Sequence, residues 1–166
     1  MNLSLPLNRA PRDMRIVQRF GANPEAYARF GLNGHNGIDL ETVPAELVVA
    51  VDDGVVAELR LDPSGYGMTV KLVHSWGESR YARGQKYSTA VDFELGYRVH
   101  RGERIFLSEV DGDHIHFGLR LRKDDGSLDY SSANGCGGYV DPLPHLRAAL
   151  HLPPEMPAPA GKAKRA

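Results

Sequence analysis

The strongest constraint on the fold is a period of two. In His114-Ile115-His116-Phe117-Gly118-Leu119-Arg120-Leu121 the apolar residues fall at 115, 117, 119 and 121 and alternate with His, His, Gly and Arg. Such alternation marks a half-buried β-strand, whose successive side chains point to opposite faces. Further strands are expected at Leu47–Val51, Val55–Leu61, Met68–His74, Arg80–Ala82 and Arg104–Ser108. These runs are short and punctuated by Gly, Asp-Gly or Pro-Ser-Gly turns, which favours antiparallel pairing over βαβ units. Lys123-Asp124-Asp125-Gly126 marks a hairpin and Arg98–Gly102 a surface turn. Asn23–Phe30 reads as a short helix with Asn23 as cap and Pro24 at its first position, and Pro144–Leu150 as a final helical turn. The expected fold class is mostly β, a single sandwich-like domain of antiparallel sheet.

Composition sets the outer bounds. At 166 residues the chain is one domain, large enough to bury a core without staples. A net charge of −1, with no block of like charge inside the domain, gives no basis for a nucleic-acid partner. Cys136 is the only cysteine, so no intrachain disulfide can form, and its glycine neighbours Gly135, Gly137 and Gly138 read as a tight surface turn. No stretch is long and apolar enough to span a membrane. Residues 1–14 are expected to be an N-terminal extension and 151–166, rich in Pro and Ala, a flexible tail.

Two segments carry candidate chemistry. His35 and Asp39 are four residues apart in Gly34-His35-Asn36-Gly37-Ile38-Asp39, and His114 and His116 share one face of the alternating strand. Separately each has an ordinary explanation: a solvated histidine, or an aspartate bonding its own backbone in a turn. Together they supply what an open hydrolytic zinc site needs: His35, Asp39 and one strand histidine as ligands, with the other strand histidine as general base.

The order and spacing of motifs around these residues resemble the lysostaphin/LytM-type zinc endopeptidases, which cut peptide cross-links in bacterial cell walls. The resemblance runs from about Arg15 to Leu146, through Phe20-Gly21, His35-Asn36-Gly37-Ile38-Asp39, Asp53-Gly54-Val55-Val56, Gly65-Tyr66-Gly67 with the apolar run to His74, His114-Ile115-His116-Phe117 and Val140-Asp141-Pro142. It implies that residues 15–150 form a zinc peptidase-like domain with Zn2+ held by His35, Asp39 and His116, and that His114 takes the proton from the attacking water. Gly37 is expected to let the turn between the first two ligands adopt dihedrals that a side chain would penalise. His74, Trp76 and Tyr81 are candidates for the wall of a substrate groove, with Tyr87 a further aromatic near it; for His74 a structural role weighs more, and for the aromatics packing does.

Two departures bear on activity. The family commonly has a further histidine in a Tyr-Ala-His-Leu stretch, thought to stabilise the oxyanion; here Tyr81-Ala82-Arg83-Gly84 puts Arg83 in its place, a permanent cation that cannot exchange a proton near neutral pH. The Gly-, Ser- and Thr-rich loop expected before the His-x-His strand is shortened to the acidic Glu109-Val110-Asp111-Gly112-Asp113. The expected function is therefore a zinc-dependent endopeptidase acting on peptidoglycan, with a catalytically impaired binding or structural module as the alternative. Met1–Leu7 is apolar but short and lacks a basic leader, so no secretory signal is read there. That fits an enzyme made in the cytoplasm and acting on the cell wall, such as a phage lysis or virion enzyme, or a shortened piece of a secreted chain.

Overall fold

A computed structural model describes residues 1, 3–62, 66–86, 88–89, 93–131 and 133–151. Tyr87 and the tail beyond His151 lie outside the described residues.

The alternating segment forms β9 (His114–Leu121), and everything else is arranged around it. β2 (Ile38–Glu41) pairs with one side of β9, and β6 (Gly77–Gly84) with the other. Beyond β2 lies β1 (Ile16–Gln18). Beyond β6 the order continues through β5 (Gly67–Val73) and β4 (Gly54–Asp62) to β7 (Arg98–Val99). β10 (Tyr139–Val140) also pairs with β9. All these pairs are antiparallel, as the short turn-punctuated runs require. A separate two-stranded sheet, β3 (Leu47–Val49) with β8 (Arg104–Leu107), completes the mostly β architecture. The core contains Ile115, Phe117 and Leu119 of β9 with Leu40, Val70, Leu72, Tyr81 and Phe106.

The sequence-based expectations need several corrections. The His-bearing face of β9 is not half-open: His116, Gly118 and Arg120 are as buried as the apolar face, because the chain before β2 and the segment leading into β10 cover them. The helix is shorter than expected, α1 (Pro24–Ala28), and Asn23 makes no capping hydrogen bond because it adopts a left-handed conformation at φ 53°. The Arg98–Gly102 segment begins as β7, and the turn proper follows at 100–103, where Glu103 N donates to His100 O. Cys136 occupies the expected glycine-rich turn but is buried.

Residues 3–9 do not extend away from the domain. Leu3 and Leu7 are both 2% exposed within the core, Leu7 bridges Val48, and Val49 N donates to Pro6 O. The Arg9 guanidinium clamps the Glu46 carboxylate through two nitrogens. A short apolar sequence followed by arginines reads locally as an extension; its burial depends on contacts made some forty residues away.

Candidate metal centre and groove

Strand register assembles the centre. In the β2–β9 ladder Asp39 lies directly opposite His116, and in the β6–β9 ladder Ala82 lies on the other flank of the same histidine. Directly opposed residues project to the same face, so the carboxylate meets the imidazole by pairing alone. His35 arrives from the loop before β2. Its Nδ1 lies 3.2 Å from the Arg19 carbonyl, which can only accept, so this nitrogen carries the hydrogen and Nε2 presents its lone pair.

Three atoms then converge. His35 Nε2 lies 2.8 Å from His116 Nδ1 and 3.2 Å from Asp39 Oδ1, and His116 Nδ1 lies 3.3 Å from Asp39 Oδ1. All three residues are buried. Burial opposes ionisation of Asp39, but the hydrogen bonds and charges of His116 and His35 outweigh it and hold the carboxyl well below the usual carboxylate range. Burial pushes His116 down to about 4, against the pull of Asp39 and helped by the nearby His35 charge. Near neutral pH the cluster thus has an ionised carboxylate beside a neutral His116, and with the His35 hydrogen on Nδ1 the lone pairs turned toward one another outnumber the hydrogens between them. A divalent cation resolves that excess. Donors about 2 Å from a tetrahedral zinc ion lie roughly 3.3 Å apart, close to the spacings to Asp39. The residues present fit zinc as a three-ligand site with one open position.

Gly37 serves this arrangement through space rather than through the dihedral freedom expected of it. A Cβ there would stand 2.5 Å from Phe117 O and 2.7 Å from His116 Cε1, so only glycine lets β2 approach β9 so closely beside the histidine. The His-x-Gly-x-Asp segment, expected to be a turn between ligands, runs straight into a strand.

His114 stands beside the cluster without joining it. Its Nε2 is 3.7 Å from Asp39 Oδ2, the carboxylate oxygen that does not face the other two histidines, and its Nδ1 is 2.5 Å from Asp113 Oδ1. Arg83 reaches the same groove through a β-bulge. Between paired positions Met68↔Gly84 and Val70↔Tyr81, β6 has one residue more than β5, and Arg83 takes a left-handed φ of 69°. A bulge re-aims a side chain, and such a backbone is uncommon outside glycine. Arg83 lines the groove with His35, Asp39, His114 and His116, and its Nε lies 3.8 Å from Glu109 Oε2.

The three remaining groove candidates are placed elsewhere. Tyr81 is fully buried on the opposite face of β6, against Phe117, with its hydroxyl 3.0 Å from Val51 N. His74 is buried too: Nδ1 donates to the Asp53 carbonyl at 2.7 Å and Nε2 lies 2.7 Å from Ser79 Oγ. Trp76 stacks on His74 at 4.5 Å and donates to Asp52. None of the three lines the groove around the cluster. The aromatics that do are Tyr27, Phe30 and Tyr66. Tyr27 lies 5.3 Å from the His35 ring, and burial together with the Asp39 charge raises its phenol above the ordinary value, outweighing the hydrogen bond from Gln18. Tyr66 meets His116 edge-on at 6.2 Å. The Gly-Tyr-Gly motif is the one sequence signal for Tyr66; Tyr27 has none.

No curated protein matches the chain. Among solved structures, Csd3 of Helicobacter pylori superposes with a TM-score of 0.61 at 23% identity, covering 87% of this chain and 33% of Csd3. A zinc-containing peptidase from Vibrio cholerae gives 0.54 at 25% identity over 83% of this chain and 39% of its own. The catalytic domain of the antimicrobial peptidase lysostaphin from Staphylococcus simulans gives 0.60 at 19% identity over 82% of this chain and 95% of its own. The chain therefore spans about a third of the length of Csd3 and nearly all of the lysostaphin catalytic domain. The family model "Peptidase family M23" matches residues 33–129, more than half of the chain and inclusive of His35, Asp39, Arg83, His114 and His116, and the chain belongs to that family of zinc-dependent metallopeptidases.

Proposed function

We propose that this protein is a zinc endopeptidase that hydrolyses peptide cross-links of bacterial peptidoglycan. The observation that carries the reading is the convergence of His35 Nε2, Asp39 Oδ1 and His116 Nδ1 at the floor of a groove, with His114 beside them and not among them.

Zinc bound by these three residues would supply a Lewis acid for the scissile carbonyl and bring the pKa of a bound water to about 7. The protein's own groups do the rest. His114 Nε2, facing the groove near Asp39 Oδ2, receives a proton from the attacking water and can return it to the departing amine. Arg83 lends positive charge where the carbonyl oxygen becomes negative, in the place of a histidine that could also have exchanged a proton. Tyr27 and Phe30 form an aromatic wall suited to a peptide chain. In this reading the protein acts on cell walls, and a phage lysis or virion enzyme is the setting proposed for it.

The test is release of new amino termini from purified peptidoglycan of several bacterial types by the zinc-loaded protein. Cleavage should stop with a chelator and be absent in Asp39→Ala. A protein that binds one equivalent of zinc yet cuts none of these substrates would instead be a binding or structural module. Replacement of the expected histidine by Arg83 is the observation that favours this second reading.

A further inference from the structure

His114 lies between two carboxylates, and the distances decide which one holds its proton. A neutral imidazole has a single N–H, and a carboxylate can only accept it. At 2.5 Å, Asp113 Oδ1 is within hydrogen-bond range of Nδ1, whereas Asp39 Oδ2 at 3.7 Å is beyond hydrogen-bond range of Nε2. In the neutral ring the hydrogen therefore sits on Nδ1, and the Nε2 lone pair is left facing the groove. The backbone behind that carboxylate is held: Thr42 N donates to the Asp113 main-chain carbonyl at 2.9 Å, tying this end of the acidic loop to the end of β2.

We propose that Asp113 is a positioning residue, which fixes the tautomer and ring orientation of His114 so that Nε2 serves as the proton acceptor. The proposal rests on the reading of His114 as general base. It gives the last residue of the shortened loop a definite role, because the loop places a carboxylate directly behind the base. In a neutral histidine the nitrogen that accepts is set by the hydrogen bond the other nitrogen makes. A buried orienting carboxylate of this kind can be worth about ten-thousand-fold in turnover. The Asp113 side chain is 88% exposed, so water competes for the same nitrogen and the effect should be far smaller, about three- to ten-fold.

The direct test is the nitrogen spectrum of the histidine rings in the 15N-labelled, metal-free full chain, in which the two neutral tautomers are told apart by which ring nitrogen carries the hydrogen. His114→Gln supplies the assignment. Wild type should show His114 protonated at Nδ1, Asp113→Ala should shift it toward Nε2–H, and Asp113→Asn, whose amide oxygen can still accept, should retain much of the wild-type form. With zinc loaded, Asp113→Ala should keep its metal and its KM for solubilised peptidoglycan while kcat falls about three- to ten-fold, with Asp113→Asn in between. A wild-type His114 that is already Nε2–H, or one that Asp113→Ala leaves unchanged, overturns the proposal. Full activity in His114→Gln overturns the general-base reading instead, and the tautomer result would then stand as a structural fact without a catalytic role.

Discussion

His114 and His116 share a face of β9 but not an environment, and that difference underlies the separate roles proposed for them. His116 is 3% exposed and locked between His35 and Asp39, while His114 keeps 22% of its side chain open to the groove. Removing a ligand should therefore empty the site: Asp39→Ala and His116→Ala should lose zinc by elemental analysis, and His74→Ala, whose ring contacts Asp53 and Ser79 on the other side of the sheet, should keep it. His114→Ala should keep zinc and lose about a hundred- to ten-thousand-fold in turnover. Metal loss in that variant, with retention in His116→Ala, would reverse the two roles. Arg83→Ala should cost about a hundred- to a thousand-fold if the guanidinium stabilises the oxyanion, and a near-normal rate would remove that role. The residues that converge, His35, Asp39 and His116, stand out in the sequence because His35 and Asp39 are four residues apart and His116 lies in the alternating strand. Tyr81 is a groove candidate by sequence and a core residue in the fold, for a reason that strand parity contains: Ala82 pairs with His116, so its neighbour Tyr81 must face the core. Tyr27 enters through a tertiary contact with His35, which no local pattern announces.

At the scale of elements, patterning succeeds where strands are long enough to have a period. β4, β5 and β9, each seven to nine residues, are visible in the sequence, whereas of the eight-residue β6 only Arg80–Ala82 is, and the short β3 and β8 show through their apolar runs. β1, β7 and β10, with two or three residues each, are not visible, since pairing alone makes them strands. β2 resembles a turn in sequence because Gly37 suggests conformational freedom, when its role is to admit β9. The N-terminal segment shows the same limit and yields a prediction. Leu7 fills the core beside Val48, and deleting a buried leucine side chain to alanine typically costs about 2–5 kcal/mol. Leu7→Ala should lower unfolding stability by that order in chemical denaturation. Deleting residues 1–9 should cost more, because it also removes Leu3 and the Arg9–Glu46 clamp. A truncated protein as stable as the full chain would show that these residues decorate the domain rather than complete it.

For the molecule as a whole, the buried histidines tie stability to pH. Burial lowers the pKa of His74, more than its contacts with Asp53 and the Asp52 charge raise it, and burial pushes His116 down to about 4. In the unfolded chain both return to about 6.5. Between those values the unfolded chain binds more protons than the folded one, so acid favours unfolding. The stability of the metal-free protein is thus fully present above about pH 6.5 and declines as the pH falls toward 4. Asp39 has the depressed pKa of a paired carboxylate, and its contribution is lost only at still lower pH, below about 4. Zinc bound at His35, Asp39 and His116 would add stability by mass action and would need unprotonated imidazoles, so the gain in melting temperature on adding zinc should itself shrink over the same acidic range. Urea unfolding at about pH 7.5 and about pH 5, with chelator, checks the first part: the midpoint should fall. His74→Leu removes one of the titrating groups along with its bonds to Asp53 and Ser79. That variant should be less stable than wild type at the higher pH and lose less on acidification. An equal loss in both proteins would mean that His74 is not held neutral in the fold, and a midpoint independent of pH would mean that neither His74 nor His116 is.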